Sequence, residues 1–143
     1  MIIDTSAIVA VLAGEPDAER FARCIERDPT PRIGAASLLE ASIVLTRWFG
    51  DSADAALDAF VRESGAEIVP FDLPQLRAAQ EAYRRFGKGR HPAGLNFGDC
   101  MSYALARVCN EPLLFKGNDF TQTDLRAATT AQDSAPAPRT RRE

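Results

Sequence analysis

The sequence predicts a small α/β domain: a short, four- to five-stranded parallel sheet flanked by helices on both faces. Short β-branched and apolar runs alternate with amphipathic stretches along the chain, the pattern of βα units. Those runs are apolar throughout, as strands buried on both faces are. A length of 143 residues with 45% hydrophobic content is enough for one core and short for two.

Taken in order, residues 1–4 read as a buried strand and 5–13 as an apolar helix that "GEP" at 14–16 breaks. Residues 17–28 form an amphipathic helix with Phe21, Cys24 and Ile25 on one face. "PRIGAA" at 31–36 is a second strand, and 37–49 a helix closed by Gly50. Asp51 can cap a further helix to about Ser64, with Gly65 at its end. "AEIVPF" at 66–71 is a third strand, followed by a helix from Leu73 to Phe86 and a Gly/Pro-rich loop over 87–96. Residues 97–109 form a helix, "PLLF" at 112–115 a fourth strand, and a short fifth strand near 126–129 is expected. The domain is thus read as 1–129. "TAQDSAPAPRTRRE" at 130–143 has no apolar periodicity and is read as a disordered tail.

Composition excludes several functions. The longest apolar run, 7–13, is too short to span a bilayer, and no basic segment leads into a signal-peptide core. Cys24, Cys100 and Cys109 form an odd count without CxxC spacing, which fits reduced thiols in a cytoplasm. His91 is the only histidine, so paired-histidine chemistry is excluded and acid–base or metal chemistry falls to carboxylates. A net charge of −3 does not advertise nucleic-acid binding, though a local basic patch can coexist with an acidic site.

The carboxylates have a common placement. Asp4 ends the first strand, Glu40 and Asp99 fall in the first turns of two helices, and Asp119 follows the fourth strand. In a parallel sheet, strand C-termini and the helix N-termini after them share the edge at which ligands bind. Taken singly, each acid has a structural reading. Asp4 can be an N-cap, and Ser37 with Glu40 matches a capping box, as does Asn96 with Asp99. Asp119 can make an Asx turn. Taken together, four converging carboxylates repel by roughly 3 kcal/mol per pair at ~5 Å and an effective dielectric of about 20. Protonation or a hard cation, Mg²⁺ or Mn²⁺, must relieve that repulsion. Such a cation polarises phosphoryl oxygens and activates water, which points to phosphodiester hydrolysis.

"MIIDTSAIVAVL", "ASLLEASIVL", "GKGRHPAGLNFGDCMSYALA" and "PLLFKGNDFTQTDL", in that order, resemble a PIN-domain ribonuclease of the VapC toxin type over residues 1–127. The resemblance implies a PIN-like fold and a metal-dependent endoribonuclease using a metal-activated water. It implies metal-liganding acids at Asp4, Glu40, Asp99 and Asp119, with Ser6 holding the site together; Asp124 is a neighbouring alternative to Asp119. It also implies Mg²⁺ or Mn²⁺ as cofactor, a homodimer, a cognate VapB-type antitoxin, and a structured RNA such as tRNA or rRNA as substrate.

Arg84, Arg85, Lys88 and Arg90, with His91, lie just upstream of Asp99, and Lys116 lies close to Asp119. The first five read equally as a basic flap gripping RNA phosphates and as a solvated helix end, and Lys116 as a phosphate contact or the partner of an acid. Trp48 and Phe49 are expected in the core or a dimer interface, and Asn96 as a helix cap. Two rivals are weaker. A phosphatase of the haloacid dehalogenase type needs a second Asp two residues after the first, where this chain has Ser6. A non-catalytic D-x-S-x-S metal-binding module is broken by Ile8.

Overall fold

The computed structural model describes residues 1–128; the boundary at 129 and the tail at 130–143 lie outside the described residues. The elements run β1 (Ile2–Ile3), α1 (Thr5–Leu12), α2 (Ala18–Arg27), β2 (Arg32–Gly34), α3 (Ala35–Phe49), α4 (Ala53–Ser64), β3 (Glu67–Val69), α5 (Leu73–Phe86), α6 (Phe97–Cys109) and β4 (Leu113–Leu114), with a 3₁₀ turn at Gly50–Ser52. The four strands form one parallel sheet in the order β3-β2-β1-β4.

Strands of two or three residues hold because helices bury both faces of the sheet. Ile3 and Leu114 enter a core with Ile8, Phe21, Ile33, Leu45, Leu57 and Phe60 from the α1–α4 side. Their neighbours Ile2 and Leu113 point the other way, into a core with Phe86, Leu95, Tyr103 and Leu105 from the α5–α6 side. This period of two decides the site. Asp4 continues the β1 ladder through its N–H to Leu114 O (2.9 Å), and so turns toward the α6 side as Ile2 does. The chain reverses its direction across the sheet between β1 and β4, which puts the switch point beside Asp4.

The expected elements are all found, with three corrections. The fifth strand is a single parallel bridge, Leu113 to Ala127. Asp51 does not cap α4. It sits in the 3₁₀ turn, and α4 starts after Ser52 with no side-chain cap. Ser37 and Glu40 do not form a capping box, because α3 begins at Ala35 on the extended Gly34. Glu40 therefore lies in the second turn of α3, and the Ser37 side chain is free to bond elsewhere. Trp48 and Phe49 lie outside the core, 47% and 36% exposed.

Candidate active site

Asp4 is 4% exposed, and both of its carboxylate oxygens accept hydrogen bonds. It caps α1: Oδ2 accepts from the Ser6 N–H (3.0 Å) and the Ser6 hydroxyl (2.5 Å). Oδ1 accepts from the Ser102 hydroxyl on α6. The one hydroxyl proton of Ser6 is engaged in its hydrogen bond to Asp4, so its oxygen accepts from the Lys116 N–H (2.9 Å). Ser6 thereby ties the end of β1 to the segment leaving β4.

Asp99 and Asn96 form a capping box at the start of α6. Asp99 N–H donates to Asn96 Oδ1 (2.9 Å) and Asn96 N–H to Asp99 Oδ2 (3.0 Å). The cap role expected of Asn96 is thus met. Burial pushes the Asp99 carboxyl up to about 6, and the charges of Asp4, Asp119 and Glu40 add to the rise against the Asn96 hydrogen bond. Glu40 reaches across from α3 to lie on Gly98, where any Cβ would collide with its carboxylate. Asp119 is exposed on the loop after β4. The buried Phe120, edge-on to Phe115 at 5.2 Å, anchors that loop. The four acids come from four segments, and Asp99 feels the charge of the other three.

Asp124 belongs to another arrangement. Burial opposes its ionisation, but the Tyr103 hydroxyl (2.7 Å), Arg85 (3.3 Å) and Arg107 together hold its carboxyl below the usual range. Its role is to pin the chain after the Asp119 loop onto α5 and α6.

The basic candidates divide. Arg85 is occupied by Asp124 and Glu81 and stacks over Phe86 at 4.7 Å. The Lys116 ammonium pairs with Glu15. Arg84, Lys88 and Arg90 are exposed, with Arg90 over the Tyr83 ring at 5.5 Å. His91 is structural: Nδ1 accepts from the Ala93 N–H (3.1 Å) and the ring meets Phe86 edge-on.

The donor set fits a hard divalent cation. It is all oxygen, and repulsion registers at Asp99. Among the described residues, no Lys or Arg forms a salt bridge with any of the four acids. Nor does any group of His, Cys, Asp and Glu among the described residues close into a metal cage. The acids are neighbours on an edge, held by separate backbones.

Sequence reasoning missed Gly98 and Ser102, and read Ser37 only as a helix cap. The available signal was the spacing: Ser37 precedes Glu40 by three residues and Ser102 follows Asp99 by three, so each serine shares a helix face with an acid.

Comparison with known proteins adds independent findings. The family model for the PIN domain matches residues 1–125. The chain is similar to "VapC ribonuclease Mb0640" of Mycobacterium bovis, 48% identical over 125 residues, which cover 87% of this chain and 95% of that one. It is similar to "Ribonuclease VapC" of Mycolicibacterium smegmatis, 50% identical over 127 residues, covering 89% and 98% respectively. The fold is shared with the crystal structure of Mycobacterium tuberculosis VapC20, described as a sarcin–ricin loop cleaving toxin. The TM-score is 0.71 at 20% identity, over 87% of this chain and 95% of that one.

Proposed function

Because the chain belongs to the PIN-domain family, and within it to the VapC-type ribonucleases, we propose that Asp4, Glu40, Asp99 and Asp119 hold a divalent cation, Mg²⁺ or Mn²⁺, at which it cuts RNA. The chain is a toxin-type endoribonuclease of this family. The observation that carries the metal reading is Asp99. Its carboxyl is raised to about 6 in part by the three other acids, which lack salt-bridge partners among the described residues. A cation bound there would neutralise them, polarise a phosphoryl oxygen and lower the pKa of a water molecule.

The chain's own residues do the rest. Ser6 and Ser102 hold the Asp4 carboxylate in one orientation. The capping box fixes Asp99 on α6, and Gly98 leaves room for Glu40. Arg84, Lys88 and Arg90, exposed near the start of α6, are placed to contact phosphates.

The partners we propose are a structured RNA of the tRNA or rRNA class, a VapB-type antitoxin and a second copy of the chain. The name of the VapC20 structure supports the RNA class. Two apolar surfaces support protein partners: the exposed face of α3 with Leu39 and Ile43, and a groove between α5 and α6 lined by Leu76, Tyr83, Phe97 and Met101. Cys24, Cys100 and Cys109, which form no disulfide among the described residues, fit action in a reducing cytoplasm, and no described helix is long and apolar enough to cross a membrane. Incubating purified protein with structured RNA and Mg²⁺ or Mn²⁺, with and without EDTA, tests the reading. Cleavage is expected only with metal; cleavage that EDTA does not touch would refute it.

A further inference from the structure

Behind the acids lies a buried chain of hydroxyls. The Ser102 hydroxyl, 1% exposed, donates to Asp4 Oδ1. Its one proton is then used, so its oxygen accepts from the Ser37 hydroxyl at 3.2 Å, itself 4% exposed. Thr5, the first residue of α1, donates from Oγ1 to the Ser37 carbonyl (3.0 Å). The chain therefore joins α1, α3 and α6, and it does so within one helical turn of three of the site acids. Asp4 precedes Thr5 directly, Ser37 lies three residues before Glu40, and Ser102 lies three residues after Asp99.

From this geometry we infer that Ser102 is a positioning residue for the cation site, orienting Asp4 from behind and, through Ser37, setting the spacing of Asp4, Glu40 and Asp99. The inference rests on the four-carboxylate reading above. Asp4 Oδ2 is held locally, by its own helix. Among the described residues, Oδ1 is held only from α6, by a residue 98 positions away. Without the Ser102 hydroxyl, the carboxylate is free to swing about its Cβ–Cγ bond and the polar tie between α3 and α6 is gone. What then joins those helices, apolar packing and the approach of Glu40 to Gly98, does not fix the Asp4 oxygen. Outer hydrogen-bond partners of metal-binding carboxylates commonly change metal affinity by about 10–100-fold.

The test is Mn²⁺ binding, measured by calorimetry at a temperature where each protein is fully folded, alongside melting in EDTA. Ser102→Ala is expected to bind Mn²⁺ about tenfold more weakly than wild type. Ser102→Thr, which keeps the hydroxyl, is expected to bind within about threefold of wild type. A residue that only stabilised the fold would lower the melting point and leave Mn²⁺ affinity of the folded protein unchanged, and that result would overturn the proposal. A well-folded Ser102→Thr that binds as weakly as Ser102→Ala would overturn the role of the hydroxyl. Should Ser102→Ala not fold, Ser37→Ala carries the test, with a loss of about threefold expected and unchanged affinity overturning it. The parent reading is checked separately by Glu40→Gln. If wild type binds Mn²⁺ and Glu40→Gln weakens it while Ser102→Ala does not, only this proposal falls. If wild type binds none, both fall.

Discussion

Asp99 and Gly98 show how much one position can reveal. Asp99 has a carboxyl raised by burial and by three like charges to about 6, against 3.8 for an unperturbed group. The folded, metal-free protein therefore holds a proton that the unfolded chain has released, and stability falls as pH rises between those values. Asp99→Asn removes the effect and can still accept from the Asn96 N–H. In EDTA the variant is expected to match wild type near pH 4. Above pH 6 it should exceed wild type by about 1 kcal/mol, solvent screening reducing the effect of a carboxyl that is only partly buried. Adding saturating Mn²⁺ should reverse the ranking, since a ligand at 100 times its Kd stabilises the binder by about 2.7 kcal/mol. Thermal melts at several pH values check this; a variant that melts well below wild type in EDTA at pH 7 would make Asp99 a structural residue. Gly98 makes the complementary case. Alanine there gains about 1 kcal/mol of helix propensity, and the only obstacle is the end of the flexible Glu40 side chain. Gly98→Ala is thus expected to keep its melting point and lose Mn²⁺ affinity by about tenfold. Full affinity in this variant would show that Glu40 has no need to lie where it does. Asp4 and Asp99 were legible in the sequence because an acid at the end of an apolar strand, or three residues after an Asn cap, has few places to go. Gly98 was not, because nothing local to "NFGD" announces a side chain arriving from α3.

At the level of elements, α3 and the α5–α6 connection illustrate where local pattern misleads. Ser37 and Glu40 have capping-box spacing, but the extended backbone at Gly34 lets α3 begin before Ser37. The spacing then places both side chains on one face of α3, where Ser37 meets Ser102 instead of its own helix end. In the basic flap, sequence proximity made five cations look equivalent. Tertiary structure separates them, because Asp124 returns to α5 and takes Arg85, while Glu15 takes Lys116. Two expectations follow. Changing Arg84, Lys88 and Arg90 together to Ala should weaken RNA binding and flatten its salt dependence, by about one unit of slope for each phosphate no longer neutralised. An unchanged slope would leave these side chains as solvated surface. Arg85→Ala should instead lower the melting point slightly, because its ion pairs are exposed, with RNA affinity unaltered.

For the molecule as a whole, β1, β2 and β4 bring Asp4, Glu40 and Asp119 to one edge because each is followed by a helix or loop that starts there, and α6 brings Asp99 in from the loop after α5. That much was legible, since alternation of apolar runs and amphipathic stretches fixes fold class without fixing detail. The fifth strand was overread. Among the described residues, 126–128 meet β4 at one bridge only, and the polar stretch before them commits its hydrogen bonds to turns, as Thr121 and Thr123 do. The exposure of Trp48 was equally beyond sequence pattern, because an apolar helix face reads the same whether it meets a core or a partner. The central claim is that one sheet edge gathers four carboxylates to hold a cation for cutting RNA. Its most direct test is RNA cleavage by wild type and Glu40→Gln across a Mn²⁺ titration with an EDTA blank. Wild type should be inactive in EDTA and recover with metal. Glu40→Gln, folded normally, should cleave about 100-fold more slowly at limiting metal. Cleavage by Glu40→Gln at the wild-type rate under those conditions, or by wild type in EDTA, would contradict it.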